Sequence, residues 1–400
     1  MLLGLGRGEP IEGRAVAITG MGAVTCAGIG IEALWEQLLA PNKTGRLRSV
    51  EDFDPSAFFG PKEARRLDRF AQMSVAAAEM ARADAGDLGA DPDRCGVIFA
   101  SGVGGFNTLV SQVLLCEAKG PERVSPFLVP MMMVNAAAAN VSMRFGWHGP
   151  SESIVTACAS GTHAVTAAAR LVASGRCDVA VGGGGESAIQ EVAIGAFSNM
   201  TTLSPTGISR PFDVARDGFV LAEGAAALVL EDKERALARG ARIYAEIAGG
   251  ASTVDAHHIT APDPEGAQAV SCMELALEDA GLSAGDVGQI NAHGTSTQLN
   301  DLAEARAIAK LFGDSIPPVT ANKGLLGHSL GAAGAIEAIA SALSIHHGLI
   351  PPTAGLERLD PEIEVDVVTG QPRPFPPGPV LSNSFGFGGH NGCLVLVPTG

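Results

Sequence analysis

Four hundred residues, 46% of them apolar, suffice to build a large buried core, so a disordered chain is excluded. Lys and Arg number 27 against 43 Asp and Glu; the net charge of −16 argues against general binding to nucleic acid or anionic membranes and leaves any acidic partner to a local basic patch. Glycine at 51 positions beside only 4% aromatics points to close packing of small residues.

The N-terminal residues include Arg7, Glu9, Glu12 and Arg14, unlike the uninterrupted apolar stretch of a secretion signal. Strand-like runs rich in Val, Ile and Ala fall at 15–19, 96–100, 153–156, 178–182, 225–230, 243–247, 289–292, 318–320 and 393–397. Helical patterns lie between them at 31–39, 69–85, 161–173, 264–280, 302–311 and 332–346. This alternation predicts a layered α/β fold, and the near-continuous apolar character of the strands predicts that both sheet faces are covered. The uncharged stretch 124–143 is long enough to span a bilayer, but Ser125, Pro126, Pro130, Asn135 and Asn140 assign it to core or interface. Seven cysteines, odd in number, scattered and never arranged as CxxC, fit a reduced cytoplasmic protein.

An internal echo is present. Residues 155–161 lead into an Ala-rich helix ending near Gly175; residues 319–321 open a passage through Gly327-His328-Ser329-Leu330-Gly331 into a second Ala-rich helix ending near Gly348. Two related halves, 1–250 and 251–400, are the expectation, with chance similarity as the alternative.

Cys158 stands where a strand runs into a helix start, whose N–H groups and dipole favour thiolate and lower a thiol pKa; a buried, inert thiol is the competing reading. His293, in Asn291-Ala292-His293-Gly294-Thr295-Ser296-Thr297, follows a strand, and His328 precedes a helix five residues after Lys323. Either histidine alone suits a structural role. With Cys158 they form a Cys/His/His set on three strand-exit loops, suited to covalent catalysis with acid–base or oxyanion assistance. A metal site is not expected: His257-His258 and His346-His347 are adjacent pairs that cannot face one ion, and HExxH is absent. The glycine runs 102–105 and 182–185 lack GxxxxGK[ST], so close packing explains them better than a phosphate cradle. The glycine-aromatic segment 383–391 reads as a turn into the last strand, either a bulge or a source of N–H groups for an oxyanion shielded by Phe385 or Phe387.

Taken in order, the motifs at 156–161, 291–297, Lys323 with 327–334, and 383–391 resemble the β-ketoacyl-acyl-carrier-protein synthases across residues 14–397, most closely the elongating type II-like enzymes of bacterial fatty-acid synthesis. The resemblance implies a thiolase-like α/β fold, duplicated βαβαβαββ halves in a five-layer α-β-α-β-α sandwich, and usually a dimer. It implies that Cys158 accepts an acyl chain as a thioester, and that His293 and His328 bind the malonyl thioester and assist loss of carbon dioxide. Two neutral imidazoles suit an enolate oxygen that gains charge as the carboxylate leaves. The N–H groups of Cys158 and Phe387 would form a second oxyanion site, and Lys323 with Glu337 an ion pair orienting the histidine loop. Thr295 and Thr297 would bond the pantetheine arm, with Phe385 and Gly388 also on the substrate side.

By the same resemblance the chain needs no cofactor of its own, because phosphopantetheine comes on the acyl carrier protein. Lys62, Arg65, Arg66 and Arg69, extended by Arg123, would meet that acidic partner. A second subunit would close the acyl pocket near 131–143. Glu122 and Thr201 stand where related enzymes often carry basic residues, Asn300 replaces a common Gly, and His390 a frequent Thr. Two pathways fit: fatty-acid elongation as a homodimer, or a type II polyketide or polyene system in which the chain works with a chain-length factor. Retention of Cys158 argues against the non-catalytic chain-length factor itself, and the two histidines argue against a degradative thiolase.

Overall fold

The computed structural model describes residues 13–41 and 47–400; the N-terminal stretch containing Arg7, Glu9 and Glu12 lies outside the described residues. The first half runs β1 (Val16–Thr25), α1 (Arg69–Ala85), β2 (Cys95–Ala100), α2 (Ala136–Phe145), β3 (Ser151–Ile154), α3 (Ser160–Ala173), β4 (Val179–Glu186) and β5 (Gly224–Asp232). The second runs β6 (Ala245–Val254), α4 (Ala267–Ala280), β7 (Gln289–Asn291), α5 (Gln298–Phe312), β8 (Val319–Thr320), α6 (Ala333–His347), β9 (Val380–Gly386) and β10 (His390–Val397). Both are βαβαβαββ.

The pairing repeats as well. The first half orders its strands β1-β5-β4-β2-β3, antiparallel for the first two pairs and parallel for the last two. The second orders them β6-β10-β9-β7-β8 with the same directions. An antiparallel contact between β1 and β6, Val16 opposite Ile247 to Ile18 opposite Ala245, joins the halves. Helices α1 and α2 pack on the outer face of the first half and α4 and α5 on that of the second, while α3 and α6 lie between both. These are five layers, α-β-α-β-α.

Small residues set the spacing. A Cβ on Gly22 of β1 would lie 2.1 Å from the Ala77 carbonyl oxygen of α1, and one on Gly20 would lie 2.2 Å from that of Ala81. In the middle layer a Cβ on Gly161 would meet the Ala335 nitrogen at 2.6 Å, and one on Gly334 the Thr162 nitrogen at the same distance. Thus α3 and α6 touch backbone to backbone at their first turns. The glycine run of β4 also serves packing, since a Cβ on Gly183 would lie 2.7 Å from the Phe99 ring and one on Gly185 2.0 Å from Ser74 Oγ.

Several boundaries differ from the sequence reading. Strand β6 runs through the division placed at 250, so the second repeat starts at Ala245. Strand β3 stops at Ile154, because the chain enters a left-handed turn at Ala157. Residues 380–386 form a full strand; the polar Asn383 and Ser384 disguised it, although both are buried and bonded, to Cys393 Sγ and Thr162 Oγ1 respectively. The stretch 124–143 folds as a short helix, Leu128–Met132, and most of α2, and among the described residues no helix is long and apolar enough to cross a membrane.

Substituting Gly22 by Ala is expected to lower stability by about 1–3 kcal/mol, because the obstructing atom is helix backbone and cannot rotate away. Denaturant unfolding checks this; an unchanged midpoint would refute the close-contact account.

Candidate active site

Between β3 and α3 the chain passes through Ala157 at φ 50°, a left-handed conformation unfavourable for a residue with a Cβ. Ser160 holds it there: its Oγ accepts from the Thr156 N–H at 2.7 Å and donates to the Ala157 carbonyl at 2.6 Å. Cys158 follows, 7% exposed, on the wall of a cavity of about 1040 Å³ lined from both halves. The β9–β10 turn closes over it. A Cβ on Gly386 would stand 2.9 Å from the Cys158 nitrogen, and the Phe387 N–H donates to the Cys158 sulfur. The helix-start position predicts a lowered thiol pKa, but burial outweighs it and pushes the thiol up to about 11, opposed by the Lys323 charge and the Phe387 N–H. At neutral pH the sulfur of the unacylated chain is therefore a thiol.

His293 leaves the end of β7 and is 1% exposed. Glu304, on α5, fixes its loop by accepting the His293 and Gly294 N–H groups, each at 2.8 Å. Lys323 Nζ donates to the His293 carbonyl at 2.7 Å, approaches His293 Nδ1 at 3.2 Å, and binds Glu337 Oε1. An ammonium has no acceptor, so Nδ1 receives this bond and the imidazole proton sits on Nε2. His328 precedes α6; its N–H donates to the Val220 carbonyl at 2.7 Å and its carbonyl accepts from Ala222 at 3.0 Å, so backbone pairing fixes its position. The two rings meet edge to face, centroids 5.4 Å apart, and Phe219 packs on His328 at 5.2 Å.

Burial, reinforced by the nearby Lys323 charge, holds both imidazoles well below the usual histidine range, so both are neutral. Burial also raises the two carboxyls that serve them: Glu337 to about 7, against the pull of Lys323, and Glu304 to about 7, against its two backbone N–H bonds. One wall thus offers a neutral sulfur with an N–H beside it; another offers two neutral imidazoles. That combination suits acyl transfer to sulfur followed by stabilisation of charge on an oxygen near the rings.

Thr295 and Thr297 line the same cavity with their hydroxyls 2.9 Å apart, and Thr297 also caps α5. Phe385 lines it too, its ring 6.0 Å from that of His293. Two expected site residues do not serve as expected. Gly388 is not on the cavity wall, and its N–H donates to the Ile259 carbonyl at 2.7 Å, which leaves it no donor for substrate. Arg69 is bonded within the chain: its guanidinium forks onto Glu223 at 2.8–3.1 Å and reaches the Val50 carbonyl, bracing the first half. Lys62, Arg65, Arg66 and Arg123 are exposed, with Arg66 over the Phe127 ring at 4.5 Å.

Apart from Glu337, the sequence reading missed the buried carboxylates. Glu186, at the end of β4, accepts from Ser101 Oγ at 2.8 Å, the Gly102 N–H at 2.6 Å and the Gly331 N–H at 3.0 Å, tying the cavity wall of one half to the start of α6 in the other. Asp301 accepts from Phe212 and Ser296, and Arg216 bonds the carbonyls of Thr297 and Gln298. A charged residue closing an apolar strand was the available signal for Glu186. Among the described residues no group of three or more His, Cys, Asp or Glu side chains is placed to hold a metal ion.

Comparison with known proteins agrees with this geometry. The Beta-ketoacyl synthase N-terminal domain family matches residues 40–236 and the C-terminal domain family residues 244–357. A 3-oxoacyl-[acyl-carrier-protein] synthase 2 from Synechocystis sp. is 42% identical, over 96% of this chain and 98% of that protein. Among solved structures, a chain of the ishigamide ketosynthase/chain length factor superimposes with TM-score 0.92 at 33% identity, over 97% of this chain and all of that one. A chain from the complex of a type II polyketide synthase acyl-carrier protein with its ketosynthase gives TM-score 0.89 at 29% identity, over the same shares. With two repeats, their shared cavity and both domain matches in agreement, the chain belongs to the β-ketoacyl synthase family.

Proposed function

We propose that the chain is a 3-oxoacyl-acyl-carrier-protein synthase that lengthens a carrier-bound acyl chain by two carbons through decarboxylative Claisen condensation. The convergence of Cys158, His293 and His328 on one cavity carries this reading. The Cys158 sulfur attacks the acyl thioester carbonyl; the carrier thiol leaves with the proton the sulfur gives up. A malonyl thioester then occupies the histidine side. As its C–C bond to the carboxylate breaks, the electron pair moves onto the thioester oxygen, which His293 Nε2–H stabilises with His328 beside it. Carbon dioxide departs. The enolate carbon attacks the acyl-Cys158 carbonyl, whose oxygen gains charge next to the Phe387 N–H, and collapse expels the Cys158 thiolate, which takes up a proton from solvent. A thiolate in so buried a site is a strong base, which makes reprotonation favourable and returns the resting thiol.

Lys323 acts through His293 by fixing its tautomer, and Glu337 neutralises Lys323. The hydroxyls of Thr295 and Thr297 suit the amides of a pantetheine arm, so the chain needs no cofactor of its own. The partner is an acyl carrier protein, met through Lys62, Arg65, Arg66 and Arg123. A second subunit, another copy or a chain-length factor, pairs at β3: this strand is the outer one of its half-sheet, and Val155 beside it is 51% exposed. The 42% identity to a 3-oxoacyl-acyl-carrier-protein synthase, against 33% to the ketosynthase/chain length factor structure, favours fatty-acid elongation over polyketide synthesis. Seven cysteines with no disulfide among them and a mechanism that needs a reduced thiol at Cys158 suit the cytoplasm.

Three outcomes test this reading. Cys158→Ala abolishes the acyl adduct seen by intact-protein mass and lowers condensation by at least about a thousandfold; undiminished elongation would remove the mechanism. Because the imidazoles are already neutral well above their own pKa values, lowering the pH through 6.5 does not charge them. Carbon dioxide release at saturating malonyl-carrier stays within about twofold from about pH 7.5 to 5.5, whereas a histidine titrating at its ordinary value would lose about tenfold. Reversing charge at Arg65 and Arg66 raises KM for carrier-bound substrate about tenfold and leaves a small thioester unaffected; equal effects on both substrates would defeat the docking assignment.

A further inference from the structure

The nucleophile and the N–H beside it come from different halves of the chain: Cys158 from the β3–α3 elbow, Phe387 from the β9–β10 turn. One side chain spans the two. His163, one turn into α3, places Nδ1 2.7 Å from Thr156 Oγ1 in the elbow and Nε2 3.2 Å from the carbonyl oxygen of Asn391, just beyond the turn. The carbonyl can only accept, so Nε2 carries the proton, Nδ1 is the acceptor, and the Thr156 hydroxyl donates to it. Burial holds this imidazole below its ordinary pKa, which keeps the single proton the arrangement needs.

The surroundings are cut to fit the ring. A Cβ on Gly392 would lie 2.8 Å from His163 Nε2, although its backbone requires no glycine, so close approach of the ring accounts for the residue. Asn391 is anchored in turn, its side-chain amide donating to Asp255 Oδ1 at 2.7 Å, and the Asp255 N–H donates to the Gly389 carbonyl at 2.9 Å. On the elbow side, the left-handed Ala157 stays in place only while its neighbours restrain it.

We propose that His163 is a positioning residue that sets the separation between the Cys158 sulfur and the Phe387 N–H by tying Thr156 to Asn391. The proposal rests on Cys158 accepting the acyl group, and its effect falls on the steps at that sulfur. The decarboxylation side is held by other groups, Glu304 on the His293 loop and Lys323 with Glu337. His163 therefore governs acyl transfer and not carbon dioxide release.

The test is single-turnover acylation of Cys158, followed by intact-protein mass, alongside carbon dioxide release from a malonyl-carrier thioester supplied without acyl donor. For His163→Leu we expect acylation slowed tenfold or more, with KM for the acyl donor little changed and carbon dioxide release within twofold of the unsubstituted chain. His163→Gln, whose amide both accepts and donates, restores acylation to within about threefold. Thr156→Val removes the donor from the other end without touching the ring and reproduces the slow acylation, so a poorly folded leucine variant does not decide the matter. Undiminished acylation in Thr156→Val, no rescue by glutamine, or an equal fall in both reactions would overturn the proposal. If the unsubstituted chain never acylates Cys158, the functional reading fails first; if it does and these variants match it, only the role of His163 fails.

Discussion

The contact on which the site depends is the crossing of α3 and α6. One begins just after Cys158 and the other just after His328, and their first turns meet at Gly161 and Gly334 in backbone contact. Any Cβ at either glycine meets backbone nitrogen of the other helix, so the helix starts, and the reactive groups ahead of them, are held at a fixed short spacing. The high glycine content, which first appears as a general bias, is in part the means by which two strand-exit loops share one cavity.

Burial then decides the protonation states. A lone buried charge is costly, and the site admits few: Lys323 faces Glu337, while Glu304 and Glu186 are each met by several N–H or O–H donors. The same desolvation that raises the carboxyls toward neutrality also lowers the histidines and raises the thiol. The wall formed by Cys158, His293 and His328 is thus uncharged at rest, and the lysine behind it is paired with Glu337. Negative charge that appears during reaction, on an enolate or a tetrahedral oxygen, meets N–H groups already aimed at it and little water, so these donors act where charge forms and not on the ground state.

How far the sequence disclosed this arrangement follows from what kind of signal each residue leaves. The repeat and the three reactive residues were legible, since strand–loop–helix passages with small residues leave a pattern and Cys158, His293 and His328 stand in such passages; the five-layer order came from the family resemblance. Residues whose role lies in what they bond to were not. Arg69 reads as part of a basic run, but as the first residue of a helix packed on β5 it faces Glu223. Gly388 reads as a flexible donor, but its N–H is already bonded by the 255–263 loop. Glu186, Glu304 and His163 act across more than 80 residues of sequence or through backbone groups; a charge closing an apolar strand hints at Glu186, but no local pattern marks the other two.

The two halves have diverged around common positions. The loop after β2 and the loop after β7 occupy equivalent places, and in both a buried carboxylate collects two successive backbone N–H groups: Glu186 those of Gly102 and Val103, Glu304 those of His293 and Gly294. In the second half that loop carries an imidazole; in the first it carries glycines and forms cavity wall. The turn into the middle helix likewise bears a thiol in one half and an imidazole in the other. One scaffold device, a strand-exit loop pinned by carboxylate to backbone, therefore serves reaction in one repeat and shape in the other. The chemistry divides along the same line, with the sulfur that holds a chain in the first repeat and the donors that steady an enolate in the second. Neither repeat alone holds both, which is why the groups that bridge them, Glu186 to Gly331 and His163 to Asn391, matter as much as those that react.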